Sequence, residues 1–178
     1  MAKISISELH NYIINTVRVI RLELDITQLA LSKKFDSLSD TNLIGLVESE
    51  KTPTTYNDSH LNIIAKIFSE KAKQLGKGKS EYIILDFYPS GPLSEISVEK
   101  TIDSIPKNLQ ATGTLNLLLE NKDPLFNEWR TVKEITDYCN EFAGKEWKTT
   151  DFTSVVARAE ATQKLQRLGE NEPKYKKA

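Results

Sequence analysis

The chain has 178 residues, with 24 Lys plus Arg against 25 Asp plus Glu, a formal net charge of −1 and 39% hydrophobic residues. This suits one ordinary domain or two small ones, and it excludes a strongly basic nucleic-acid coat and an acidic disordered tail. A single cysteine, Cys139, rules out an intrachain disulfide and a Cys-rich zinc module, while His10 and His60 alone leave little material for a His-based metal or catalytic site. No apolar run approaches the ~20 residues of a membrane span, and Met1 to Ser5 opens without a long apolar segment. The expectation is a cytoplasmic, reduced protein with no membrane partner, no metal and no cofactor.

Ile13, Val17, Ile20 and Leu24 step by four, three and four, which predicts one apolar stripe on a helix. Asp25 and Ile26 interrupt it. Thr27 has the chemistry of an N-cap, and Ile26 with Leu31 fits a hydrophobic staple around it. Leu31 and Phe35 turn inward while Lys33 and Lys34 turn outward. Residues 35–40 are polar and turn-like. A short helix with Leu43, Ile44 and Val47 inward follows and ends at Lys51-Thr52-Pro53. The next helix starts near Asp58 or Ser59, carries Leu61, Ile64, Ala65, Phe68, Ala72 and Leu75, and stops at Gly76.

Residues 76–112 hold three glycines and three prolines and read as a linker, with Tyr82 to Tyr88 either a short strand or an extended segment docked on a neighbour. The predicted domains are therefore 1–75 and 113–178. In the latter, Leu115 and Leu117 to Leu119 form a helix. Thr131 and Glu134, three apart, form a capping box before the stripe Val132, Ile135, Cys139 and Phe142, which Gly144 ends. Thr149 and Thr150 cap a helix with Phe152, Val155, Val156 and Ala159 inward. Leu165 to Tyr175 reads as strand, Gly-containing turn, strand. The charge balance holds inside each stretch, so any basic surface comes from arrangement.

Between Arg18 and Phe68 the sequence resembles the Cro/repressor (XRE-like) helix-turn-helix family: Arg21 near the end of the first helix, Thr27-Gln28 and Leu31-Ser32 on the second, Ile44-Gly45 and Val47-Glu48 on the third, then Lys51 and Pro53. The resemblance implies that Gln28 anchors phosphate, that a helix from about Ser39 to Glu48 enters the major groove, and that Glu48 is structural. Ser39, Thr41, Asn42 and Gly45 then belong to the DNA-facing set, with Thr41 and Asn42 as base readers or as helix-capping residues. Lys33, Lys34 and Lys51 are either a phosphate-facing trio or, the default for lysine, part of a solvated helix face. The last stretch resembles a winged helix, which implies an outward face of Thr150, Thr153, Ser154, Ala157 and Arg158, and a wing carrying Arg167, Lys174 and Lys176.

The fold class expected is thus mainly α, an N-terminal helix-turn-helix bundle plus a C-terminal winged-helix domain with a small β-hairpin. The function expected is a sequence-specific duplex-DNA-binding transcriptional regulator of bacterial or phage type, acting as a homodimer. The missing basic bias, Asp40, and Glu50 where the family usually has glycine favour an alternative, a protein-interaction adaptor or antitoxin-like partner on the same scaffold. No enzyme motif is found: Gly76-Lys77-Gly78-Lys79-Ser80 lacks the preceding strand and full spacing of a phosphate loop.

Overall fold

The structure, a computed structural model, describes residues 3–38, 42–94, 96–104, 106, 108–169 and 173–178. It is mainly helical with two small antiparallel sheets. The chain divides into two compact units, Met1–Pro106 and Lys107–Ala178. The boundary falls inside the stretch expected as linker, because residues 76–106 pack into the first unit.

In the first unit, strand β1 (Ser5–Ser7) leads into helix α1 (Glu8–Glu23), where the Ser7 hydroxyl accepts from the His10 amide at 3.2 Å. Ile13, Ile14 and Val17 form the buried face of α1. Asp25, at φ 61°, turns the chain into the left-handed conformation that an Asp tolerates. Thr27 then caps helix α2 (Gln28–Ser32) by accepting from the Ala30 amide at 3.1 Å. A 3-10 turn over Lys33–Leu38 carries Phe35 into the core and leaves Lys33 and Lys34 exposed. Helix α3 (Leu43–Val47) buries Leu43, Ile44 and Val47, and helix α4 (Asp58–Gln74) buries Leu61, Ile64, Ala65, Phe68 and Ala72. Each such Leu, Ile, Val or Phe side chain withdrawn from water contributes roughly 1.5–3 kcal/mol, so these short helices are held by the shared core rather than by their length.

The segment from Tyr82 to Tyr88 is a 3-10 turn over Ile84–Phe87 docked on α4, not a strand. Tyr82 and Phe87 meet Phe68 edge-on, with ring centroids 5.9 and 6.0 Å apart. Ser69 Oγ accepts from the Tyr82 amide at 2.8 Å, and Tyr88 donates to Asp58 at 2.9 Å. The chain then returns as strand β2 (Ser97–Glu99), antiparallel to β1 with Ile6 opposite Val98. This pairing joins segments more than eighty residues apart along the chain and explains why the middle stretch belongs to the first unit.

The second unit has helix α5 (Ala111–Glu120), strand β3 (Arg130–Thr131), helix α6 (Val132–Ala143), helix α7 (Thr149–Ala161) and strands β4 (Leu165–Arg167) and β5 (Lys174–Lys177). The strand order is β3-β5-β4, all antiparallel, with Arg130 and Arg167 both opposite Tyr175. Leu115, Leu118, Phe126, Ile135, Cys139, Phe152, Val156, Leu165 and Tyr175 make its core, and Trp147 packs edge-on against Phe152 at 5.7 Å. The Thr131–Glu134 capping box is formed from both sides: Thr131 Oγ1 accepts from the Glu134 amide at 3.2 Å, and Glu134 Oε2 from the Thr131 amide at 2.8 Å. Gly144, at φ 61°, ends α6 in the left-handed conformation. At the start of α7, by contrast, Lys148 holds the cap position and Asp151 reaches back to its amide at 2.8 Å, so Thr149 and Thr150 lie inside the first turn. Among the described residues no helix is long and apolar enough to cross a membrane.

Candidate nucleic-acid interface

A buried charge cluster fixes the relation of α1, α2 and α3. Arg21 ends α1 with its side chain fully buried, and Glu48 follows α3 with its carboxylate equally buried. Arg21 Nε and a terminal nitrogen donate to the two Glu48 oxygens at 2.9 and 2.7 Å, the paired geometry that a guanidinium fork favours. Arg21 also donates to the Ile26 carbonyl at 2.8 Å, holding the α1–α2 turn. Arg18 adds a longer contact to Glu48 at 3.9 Å. Tyr56, next to this cluster, is buried with its phenol pushed well above the usual range by burial and by Glu48, with Arg21 opposing.

Gln28 is drawn into the same cluster. Its side-chain amide donates to Glu48 Oε2 at 2.8 Å, so this group bridges α2 to α3 and is not extended toward solvent as a phosphate anchor would be. The glutamine is half-buried as a result. The sequence pattern placed Gln28 at the right helix start; the partner twenty residues on was not visible in it.

The outward side of α3 is set by what the inward side buries. With Leu43, Ile44 and Val47 inside, Asn42, Gly45, Leu46 and Ser49 lie along the open stripe, one turn apart in pairs. Asn42 is exposed and makes no cap hydrogen bond. Its side chain lies over Gly45, and a Cβ added at that glycine would meet Asn42 Oδ1 at 2.5 Å. Gly45 is therefore the space in which the asparagine side chain rests. Leu46 is 39% exposed, and its backbone is fixed because its carbonyl accepts from Thr52 Oγ1 at 2.6 Å. Lys33 and Lys51 are exposed. Ser39 and Thr41, and the acidic Asp40, lie outside the described residues.

A strap from β2 onward secures the segment behind α3. Asn11, Asn15 and Arg18, at helical spacing on α1, bind the passing chain: Asn11 Oδ1 accepts from the Thr101 amide at 3.0 Å, Asn15 Oδ1 from the Asp103 amide at 2.9 Å, and Arg18 donates to the Asp103 carbonyl. On its other side the strap holds the loop after α3. Lys100, only 2% exposed, donates to the Thr52 and Thr54 carbonyls at 2.9 Å each, and burial lowers its pKa. The Ile102 amide donates to Glu50 Oε1 at 2.8 Å. Glu50 is thereby turned toward the strap. None of these partners was foreseen, since two asparagines and an arginine at helical spacing look like an ordinary wet face.

In the second unit, Thr150, Thr153 and Ser154 form an exposed face of α7, and Arg158 is half-buried beside them. Thr153 Oγ1 is turned back to the Thr149 carbonyl at 3.1 Å. On the sheet, Arg167 is exposed, Lys174 is half-buried, and the Lys176 ammonium lies over the Trp129 ring at 5.6 Å. The Gly76–Ser80 segment follows the end of α4, and Lys79 is committed to Asp86 at 2.6 Å. Cys139 is buried in the core, and burial pushes its thiol up to about 12.

Comparisons with protein-family models, with curated proteins and with solved structures found no match.

Proposed function

We propose that this chain is a sequence-specific duplex-DNA-binding transcriptional regulator of bacterial or phage type, in which α2 and α3 act as a helix-turn-helix and α3 enters the major groove. The observation that carries this reading is the fate of the two acids beside α3. From sequence, Glu50 argues against a phosphate-facing surface, whereas Glu48 is expected to be structural. Glu48 is buried against Arg21, and Glu50 accepts from the Ile102 amide. Among the described residues, the outward side chains near α3 include Asn42, Leu46 and the cations Lys33, Lys34 and Lys51, with Glu50 exposed but held by the Ile102 amide, a set suited to a few placed contacts rather than to a strong nonspecific field. The second unit, read as a winged helix, either contacts adjoining DNA through the Thr150–Ser154 face or joins two copies. Gln28 serves in this reading as the brace between α2 and α3.

Selection of bound fragments from a random duplex library at moderate salt tests the proposal, followed by gel shifts on the enriched sequence. Asn42→Ala is expected to weaken that duplex by about 5- to 100-fold and to relax discrimination at one position. Lys51→Ala is expected to weaken all sequences alike and to lower the salt slope by about one. Failure to enrich any sequence would overturn the proposal. The adaptor reading would then take its place, and Leu29 at 64% and Leu85 at 72% exposure are the apolar contacts that favour it.

A further inference from the structure

The open stripe of α3 presents one apolar side chain between polar ones. Leu46 lies one turn beyond Asn42 and is 39% exposed, and Gly45 beside it contributes no side chain. Leu43, Ile44 and Val47 already fill the core below α3, and the Leu46 backbone is pinned by Thr52. Its exposed side chain therefore stands on a backbone that is fixed in place.

A leucine can make no hydrogen bond. Along the major-groove edge of B-DNA the features offered are acceptors, amino donors and the thymine 5-methyl group, and only the methyl gains from apolar contact. An amino or carbonyl edge placed against the leucine would lose water without replacement. Four residues of α-helix rise about 6 Å, and stacked bases are about 3.4 Å apart. Asn42 and Leu46 therefore address positions one or two base pairs apart.

Resting on the DNA-binding reading above, we propose that Leu46 is a specificity-determining residue that reads a thymine methyl one or two base pairs from the adenine paired by Asn42. The contact selects thymine over cytosine at that position without any hydrogen bond.

Each thymine of the selected duplex is replaced singly by deoxyuridine, which removes the methyl and keeps the pairing, and affinity is measured by fluorescence anisotropy with the full-length chain. One dT-to-dU change is expected to weaken the wild type about three- to tenfold, the scale of one buried methyl group. It should lie one or two base pairs from the position at which Asn42→Ala loses discrimination. Leu46→Ala is expected to bind dT and dU duplexes equally, and Leu46→Met to keep the preference. Binding that is indifferent to dU at every position overturns the inference while leaving DNA binding intact, as does a dT preference that persists in Leu46→Ala. A chain that selects no duplex overturns the regulator reading itself, a visibly different result. The uridine scan alters only the DNA, so the wild-type result decides even if a variant folds poorly.

Discussion

Replacing Glu48 by alanine removes the acceptor for two Arg21 donors and for Gln28 at once. The guanidinium that remains is fully buried and stays protonated at any accessible pH. The retained hydrogen bond to the Ile26 carbonyl goes to a neutral acceptor and does not replace the lost carboxylate. Breaking one side of such a pair costs about 3–5 kcal/mol, a large part of the ~5–15 kcal/mol that holds a typical domain. With a urea dependence of about 1.5 kcal/mol per molar, the unfolding midpoint of the first unit should fall by about 2–3 M. The assay is urea titration followed through amide signals of α1 and α4, with Arg21→Met/Glu48→Leu as comparator. The double variant removes both charges, and although it gives up the hydrogen bonds to Ile26 and Gln28, it should be at least about 2 kcal/mol more stable than Glu48→Ala. A double variant as unstable as the single one would refute the claim that the stranded charge, rather than lost packing, sets the cost.

Gly45→Ala should leave the fold intact or raise its stability by about 0.5–1 kcal/mol, yet reduce affinity for the selected duplex, since the new methyl displaces the Asn42 side chain; unchanged affinity in a gel shift would contradict the role given to that space. Thr131→Ala should cost about 1 kcal/mol through loss of the cap, read as a lowered thermal midpoint of the second unit. The Thr131 amide and hydroxyl hold Glu134 below the usual carboxylate range, so its contribution is present above the unfolded value near 4.5 and is lost as the pH falls through the lower folded value; Glu134→Gln should flatten that part of an acid titration of stability. For Lys100, whose folded pKa is also lowered, here by burial, the sign is the same in a higher pH window: just below the ordinary lysine value of 10.5 the unfolded chain holds more protons. Stability of the wild type relative to Lys100→Met should rise with pH there, because a neutral amine still has two N–H groups for the two carbonyls. Finally, the buried Cys139 thiol should resist a disulfide reagent at pH 8 in the native chain and react at once in urea.

Much of the helical framework was legible because helices advertise themselves locally. The α1 stripe, the Thr27 cap, the long apolar run of α4 and the Thr131–Glu134 box all lie within a few residues of what they determine. The β1–β2 pair did not, since three residues carry no usable period and the partner strand is some ninety positions away. The same distance hid the ladder from Asn11, Asn15 and Arg18 to the strap, and it made residues 76–106 look like linker. At the candidate site, Asn42 and Gly45 were found by pattern, and their contact was not. Gln28 was singled out for its helix position, whereas its Glu48 partner depends on how two helices meet.

The placement of the tryptophans has a practical consequence. Trp129 and Trp147, the two in the chain, both belong to the second unit, while the first unit has tyrosines but no tryptophan. Trp147 is packed against Phe152 and Trp129 lies under Lys176. Indole emission excited at the red edge therefore reports the second unit alone, and the whole-chain far-ultraviolet signal minus that transition reports the first. Two transitions that coincide would reveal units that unfold together; two that separate would let each be titrated with DNA in a single unlabelled sample.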